Sequence, residues 1–285
     1  MTFPPVKKVA IAGAGTMGRG IAQACAMAGF DVLLFDVAHD LAIKALEQIR
    51  KDVTALEEKN KITPEESKAA LKKISVASTI EELKADLFIE AIVEKLDVKQ
   101  RLISAVSEIN SKDCILTTNT SSLSVHNISS CLKHAENFAG LHFFNPATLM
   151  KLVEIVYHDS TRPEVIVRLQ NFVTQLKKSS VLVKDSPGFI VNRVARQFYL
   201  EALKIAEEGM SDFKTIDELV QSAGFKMGPF ELMDLIGMDV NAAVTESLYK
   251  SFESPRFKPN TLQLEKVKAG ELGRKTGKGF YDYRH

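Results

Sequence analysis

The sequence predicts an α/β chain: a doubly wound, mostly parallel sheet with a helical hairpin insertion, followed by a smaller all-α domain. Three observations predict it. Short apolar runs alternate with helical stretches through roughly the first two thirds of the 285 residues. Strand-like runs vanish beyond Asp185-Ser186-Pro187-Gly188, and Gly13-x-Gly15-x-x-Gly18 joins the first apolar run to the first helix. The predicted domains are residues 1–184 and residues 185–285.

The first strand, Lys8–Ala12, contains Val9-Ala10-Ile11-Ala12, the composition of a parallel strand buried on both faces. The stretch from Thr16 to Gly29 carries Ala22, Ala24, Ala26 and Ala28 without proline, so it reads as a helix packed closely on the sheet. Between them each glycine has a separate task. Gly13 permits the tight turn, Gly15 lets backbone approach a pyrophosphate, and Gly18 lets helix and strand touch. Thr16 and Met17 open the helix, where unpaired N–H groups and the positive dipole end make an anion site. The second strand, Val32–Asp36, ends in an acid about 20 residues past the fingerprint, the place of a ribose 2′-OH acceptor in a Rossmann-type domain. Asp36 would repel a 2′-phosphate and no arginine follows in residues 37–40, so the expected cofactor is NAD rather than NADP.

An uninterrupted lysine-rich helical pattern then runs from Ala38 to Asn60, and Thr63-Pro64-Glu65-Glu66 signs the start of another helix with threonine at the N-cap and glutamate at N3. Together they predict the inserted hairpin. Further strands are expected at Ile74–Ala77, Leu87–Ala91, Ile115–Thr118, Phe138–His142, Leu152–Val156 and Val181–Lys184, and Thr161-Arg162-Pro163-Glu164 repeats the capping pattern. In the second domain Val191, Val194, Ala195, Phe198, Ala202 and Ile205 step at three- and four-residue intervals, marking one face of a long helix. A capping box at Thr215-Ile216-Asp217-Glu218 and a helix end at Gly224 predict the next one. Helices over Phe230–Ile236, Val240–Phe252 and Thr261–Ala269 follow, and such an apolar helical domain is expected to bury a face against a second subunit.

Composition narrows the class. With 37 basic and 36 acidic residues the net charge is +1, which argues against a nucleic-acid partner held by a broad basic footprint. Cys25, Cys114 and Cys131 form no C-x-x-C pair, as expected of small buried side chains in a reducing compartment. The histidines show no metal-ligand spacing, and no run is long enough to span a bilayer, so no metal, no membrane partner and a cytoplasmic location, or an organellar one with the targeting segment already absent, are expected.

The densest cluster of reactive side chains follows two strands. Thr118-Asn119-Thr120-Ser121-Ser122 lies beyond one, His142-Phe143-Phe144-Asn145-Pro146 beyond another, and Glu154 sits inside the apolar run Leu152–Val156. A buried carboxylate needs a partner. If Phe138–His142 and Leu152–Val156 pair antiparallel about a turn near Thr148, residues whose numbers sum to 296 face one another, and His142 faces Glu154. A carboxylate-oriented histidine suits a general base for a hydroxyl proton, because imidazole titrates near neutrality. Ser121, Asn145 and Asn192 would be neutral donors to a carbonyl or developing oxyanion. Taken singly, His142 is as consistent with a satisfied structural residue, Asn145 with turn chemistry, Ser121 with a helix cap and Asn192 with an exposed helix turn.

At these residues the chain resembles the short-chain L-3-hydroxyacyl-CoA dehydrogenase family, particularly its bacterial 3-hydroxybutyryl-CoA members, through nearly its whole length. The resemblance is carried by Gly13–Gly18, Glu90-Ala91-Ile92-Val93-Glu94, Thr118–Ser122, Gly140–Pro146, Met150–Glu154, Asp185–Arg193, Gly228-Pro229-Phe230-Glu231-Leu232 and Gly273–Tyr281. It implies His142 as catalytic base, Glu154 as its orienting partner, and Ser121 and Asn192 as the residues holding the substrate's oxygen. Asn145 would lie near nicotinamide and substrate. Asp36, Glu94, Lys99 and Lys275 would join the glycine loop in contacting NAD. The inserted hairpin would meet CoA, with Lys59 on a phosphate, while Asp52, standing where the family has a serine, departs from that pattern. An acyl-CoA substrate and a homodimer formed through the helical domain are implied. Two other functions compete: a free 3-hydroxy-acid or gulonate-like sugar-acid dehydrogenase, which the lysine-bearing hairpin disfavours, and a crystallin-like, non-catalytic NAD-binding protein, which the intact His142, Glu154, Ser121 and Asn192 disfavour.

Overall fold

The computed structural model describes residues 5–284 and divides between Asp185 and Ser186 into two compact units. The first unit is built on one eight-stranded sheet. Its strands are β1 (Lys8–Ala12), β2 (Asp31–Phe35), β3 (Ile74–Val76), β4 (Leu87–Glu90), β5 (Ile115–Thr118), β6 (Phe138–Phe143), β7 (Leu152–Tyr157) and β8 (Ser179–Lys184), in the spatial order 3-2-1-4-5-6-7-8. The first six run parallel, as a doubly wound dinucleotide-binding sheet does, and β7 turns back antiparallel on β6. The apolar runs form strands because both faces are covered: every residue of β4, β5 and β6 is buried.

Helix α1 (Thr16–Met27) buries Ile21, Ala22, Cys25 and Ala26 against this sheet. Helices α2 (His39–Glu58) and α3 (Pro64–Lys72) form the inserted hairpin. The α3 capping box closes as expected, with Thr63 Oγ1 accepting from Glu66 N and Glu66 Oε2 accepting from Thr63 N. The unit is completed by α4 (Leu96–Ile109), α5 (Val125–Ser129) and α6 (Pro163–Gln175). The cap expected at Thr161 is not formed. Arg162 is the α6 N-cap, and the Thr161 hydroxyl instead donates to Phe138 O and accepts from His158 N, a tertiary pairing that outcompetes the local one. Cys25 and Cys114 are buried, but Cys131, expected inside, is exposed because it follows α5 in a surface turn.

The second unit holds α7 (Val191–Glu207), α8 (Phe213–Ser222), α9 (Pro229–Ile236), α10 (Met238–Phe252) and α11 (Thr261–Lys268). Two local expectations fail here. The N-cap of α8 is Asp212, which accepts from Thr215 N, so Thr215 lies inside the helix; buried Asp217 accepts instead from Phe230 N and Glu231 N in the first turn of α9. The apolar stripe of α7 is only in part its buried face: Ala202 is buried and Ala195, Phe198 and Ile205 pack against the core, but Val194 is 68% exposed, and Arg196, Tyr199 and Leu203 are buried beside the stripe. Polar bonds from Arg196 to α10 hold that side inward. The segment after α11 is tied down by buried carboxylates. Asp234 accepts from Phe280 N, Tyr281 N and the Tyr283 hydroxyl, while Asp217 accepts from the Tyr281 hydroxyl. These contacts push the Tyr283 phenol, already desolvated by burial, up to about 12. Among the described residues no helix is long and apolar enough to cross a membrane.

Candidate active site

Because β1, β4, β5 and β6 are parallel, the loops that follow them emerge at one edge of the sheet. These loops carry Gly13–Gly18, Glu90–Glu94, Thr118–Ser122 and His142–Pro146, and an open α/β sheet binds ligands beyond such strand ends.

The glycine loop is built around two collisions and one opening. At Gly13, with φ +103°, a Cβ would lie 2.3 Å from Ala91 O, and at Gly18 it would lie 1.7 Å from Gly13 O. At Gly15 a Cβ would meet nothing within 4 Å, so that face of the loop is clear for a ligand. Gly15 is also the N-cap of α1, makes no side-chain cap, and is followed by a first turn without acids. Those features suit a pyrophosphate. Asp36, just past β2, accepts from Ala14 N at 2.8 Å and Ala38 N at 3.0 Å, which fixes its carboxylate beside the loop. Thr16 is exposed and Met17 half-buried. The cradle therefore fits the adenosine and diphosphate of NAD.

Glu94 is held by the loop after β5. Its Oε1 accepts from the Thr120 hydroxyl at 2.5 Å and from Ser121 N at 3.0 Å, and its Oε2 lies 3.1 Å from Lys99 Nζ. Burial pushes this carboxyl up, but the Lys99 ammonium and the bonds from Thr120 and Ser121 outweigh burial and hold it below the usual carboxylate range. Lys99 itself is 1% exposed, with Nζ 2.6 Å from Glu90 Oε1. Its ammonium thus holds both Glu90 and Glu94. Glu90, fully buried, also accepts from Ile92 N and the Thr118 hydroxyl. Glu90, Thr118 and Thr120 were not singled out from the sequence. The available signal was an acid ending the apolar strand Leu87–Glu90, which demands a buried partner.

The sheet aligns His142 with Glu154 in the register expected from the sequence, with Gly140 opposite Val156 and Phe143 opposite Val153. His142 Nδ1 lies 2.8 Å from Glu154 Oε2, and both residues are buried. With Glu154 ionised, Nδ1 carries the proton and the lone pair resides on Nε2. The Phe144 ring lies 4.6 Å from the imidazole, centroid to centroid. Asn119 Oδ1 accepts from Phe143 N at 2.8 Å and ties the two loops together. Ser121 is half-buried beside Glu94, and Asn145, exposed, precedes Pro146 through a cis peptide bond.

The other expected residues belong to other elements. Asp52, on α2, is half-buried and accepts from Gln48 Nε2 at 2.8 Å; Lys59, at the end of α2, is exposed. Asn192 and Lys275 belong to the second unit. Asn192 is half-buried in the first turn of α7, and Lys275 Nζ is 2.5 Å from Asp239 Oδ1. Among the described residues no group of three or more His, Cys, Asp or Glu side chains could hold a metal ion.

Comparison with known proteins places the chain in a family. Residues 8–186 match the NAD-binding domain of 3-hydroxyacyl-CoA dehydrogenase, and residues 188–283 match its C-terminal domain. The chain is 43% identical over 98% of its length to 3-hydroxyadipyl-CoA dehydrogenase of Escherichia coli K12, of which it spans 59%. A solved structure of 3-hydroxybutyryl-CoA dehydrogenase from Escherichia coli K12 superposes with a TM-score of 0.96 at 43% identity, covering 99% of this chain and 60% of that one. A second, (S)-3-hydroxybutyryl-CoA dehydrogenase from Ralstonia eutropha, gives 0.94 at 36% identity, covering 98% and 100%. The chain belongs to the NAD-binding 3-hydroxyacyl-CoA dehydrogenase family, oxidoreductases that act on a CH–OH group.

Proposed function

We propose that this protein reversibly oxidises short-chain (3S)-3-hydroxyacyl-CoA, 3-hydroxybutyryl-CoA among them, to the 3-oxoacyl-CoA. The observation that carries the proposal is the buried His142–Glu154 pair at the carboxyl edge of the sheet. Bound NAD supplies the hydride acceptor. His142 takes the 3-hydroxyl proton on Nε2, and Glu154 holds the ring in the required tautomer and stabilises the imidazolium that forms. In the reverse direction the same imidazolium returns the proton to the carbonyl oxygen. Ser121, Asn145 and Asn192 serve as neutral donors that hold the reacting oxygen. Glu94, fixed by Thr120 and Lys99, and Lys275 contribute to the cofactor site together with Asp36 and the glycine loop.

The α2–α3 hairpin is assigned to CoA, with exposed Lys59 on a phosphate. Asp52 opposes a polyanion, and its bond from Gln48 leaves that charge in place. A cytoplasmic homodimer completes the proposal. It is supported by apolar side chains left uncovered on the helical unit, including Val194, Leu219 and Val240 at 68%, 69% and 48% exposure.

The test is NADH oxidation with 3-oxoacyl-CoAs of graded chain length, repeated with NADPH, on the parent and on His142→Gln. The substitution is expected to lower turnover by about 10²–10⁴-fold while NADH still binds. An equal loss of NADH affinity would overturn the role of His142. Comparable turnover of a free 3-hydroxy acid would favour the sugar-acid alternative.

A further inference from the structure

The turn between α6 and β8 holds a lysine for which the mechanism above has no use. Lys178 is half-buried, and among the described residues no carboxylate forms an ion pair with it. Its Nζ donates instead to two backbone carbonyls, Ala147 O at 2.7 Å and Met150 O at 2.6 Å. Burial draws this ammonium below the usual lysine range. A partly desolvated ammonium met only by neutral acceptors is costly to keep, and its effect falls on the segment that supplies them.

That segment is the β6–β7 loop, which carries Asn145. Ala147 stands two residues past Asn145 and is 2% exposed. Pro146 O accepts from Leu149 N at 3.0 Å and from Met150 N at 2.9 Å, so residues 146–150 close into a compact turn whose carbonyls at 147 and 150 converge on Lys178. The same alanine rests on α1. A Cβ added at Gly20, one turn into that helix, would lie 3.2 Å from Ala147 Cβ. The loop is thereby fixed both to the lysine and to the helix whose first turn forms the pyrophosphate cradle.

Lys178 is itself held through its backbone. Lys177 takes φ +56°, and the left-handed turn that ends α6 closes with Lys177 N donating to Thr174 O at 2.9 Å and Lys178 N to Val173 O at 3.1 Å. Ser179 N then donates to Lys151 O at 2.7 Å, beside Met150. The lysine backbone is thus anchored at the far end of the loop, and its side chain reaches back across the turn to within two residues of Asn145. We infer that Lys178 is a positioning residue for the reaction: its ammonium, bridging Ala147 O and Met150 O, sets the loop so that Asn145 presents its amide to the reacting oxygen. The inference rests on the role proposed for Asn145.

The experiment is a double-mutant cycle on the full chain, measuring kcat for 3-hydroxybutyryl-CoA oxidation by NAD and the NADH Kd for the parent, Lys178→Met, Asn145→Ala and the pair. Lys178→Met is expected to lower kcat by about tenfold or more, with the NADH Kd within about twofold of the parent. In the Asn145→Ala background the lysine substitution is expected to change kcat by less than about twofold, because the group it positions is gone. A parental kcat in folded Lys178→Met overturns the inference, as does a loss of NADH affinity as large as the loss of kcat. So does the full loss recurring in the Asn145→Ala background, the additive result of a merely structural lysine. If Asn145→Ala alone leaves kcat at the parental value, the proposed role of Asn145 falls and the inference with it, a failure read from a different variant. Should Lys178→Met not fold, Lys178→Gln, which removes the charge and one atom of reach while keeping a polar head, enters the cycle under the same criteria.

Discussion

Glu154→Gln isolates the charge on the acid from its shape. Gln keeps the volume in a site that is 1% exposed, and its carbonyl oxygen can still accept from His142 Nδ1, now 2.8 Å from Oε2. At an effective dielectric near 20, unit charges about 4 Å apart attract by about 4 kcal/mol. A neutral hydrogen bond contributes about 1 kcal/mol. The substitution therefore withdraws about 3 kcal/mol of support from the imidazolium that forms as the substrate proton is taken. Complete proton transfer in the transition state makes that about a hundredfold in kcat, and half transfer about tenfold. The assay is kcat for 3-hydroxybutyryl-CoA oxidation by NAD, with the NADH Kd from fluorescence as control. A kcat within twofold of the parent at unchanged NADH affinity would refute the reasoning and leave Glu154 a structural residue.

Lys99→Met should destabilise the first unit by about 3–5 kcal/mol, because Glu90 would stay buried without its cation; a loss under about 1 kcal/mol in denaturant unfolding would contradict this. Glu94 is held low, so its contribution to stability is complete above the ordinary carboxylate range of 4.5 and disappears as pH falls through the depressed value. Glu94→Gln should consequently flatten the acid side of the stability curve below that range, and an acid-unfolding profile as steep as the parent's would rule it out. Tyr281→Phe removes the hydroxyl that donates to buried Asp217 Oδ2 at 2.8 Å and should cost about 1.5–3 kcal/mol. An unchanged melting temperature would show the contact to be inert. Gly18→Ala should abolish NADH binding through the 1.7 Å clash with Gly13 O, and retained affinity would mean that the loop yields.

The sheet was legible because its central strands are covered on both faces and so read as unbroken apolar runs; all eight strands appear within two residues of their expected places. The His142–Glu154 pairing was legible for a related reason. An acid inside such a run needs a partner, and strand register is discrete, so one turn position fixes every opposed pair. What the sequence concealed is set by contacts distant along the chain. Thr161 and Thr215 carry local capping signatures, yet Phe138 O claims the first hydroxyl and Asp212 caps the second helix. Lys99 and Glu90 pair across a strand and the following helix at a spacing that no motif records. The α7 periodicity pointed to Val194, whereas the face turned inward carries Arg196, because polar partners on α10 outweigh the pattern of side-chain hydropathy.

The anchoring of residues 280–283 on Asp217 and Asp234 bears on biosynthesis. Two acids that end up sealed inside the helical unit receive donors from a stretch the ribosome adds well after α8 and α9 have emerged. Until Tyr281 and Tyr283 arrive, those acids lack their donors from this stretch and stay hydrated, which keeps the helices apart. A nascent helical unit thus remains loose until that stretch is released from the tunnel.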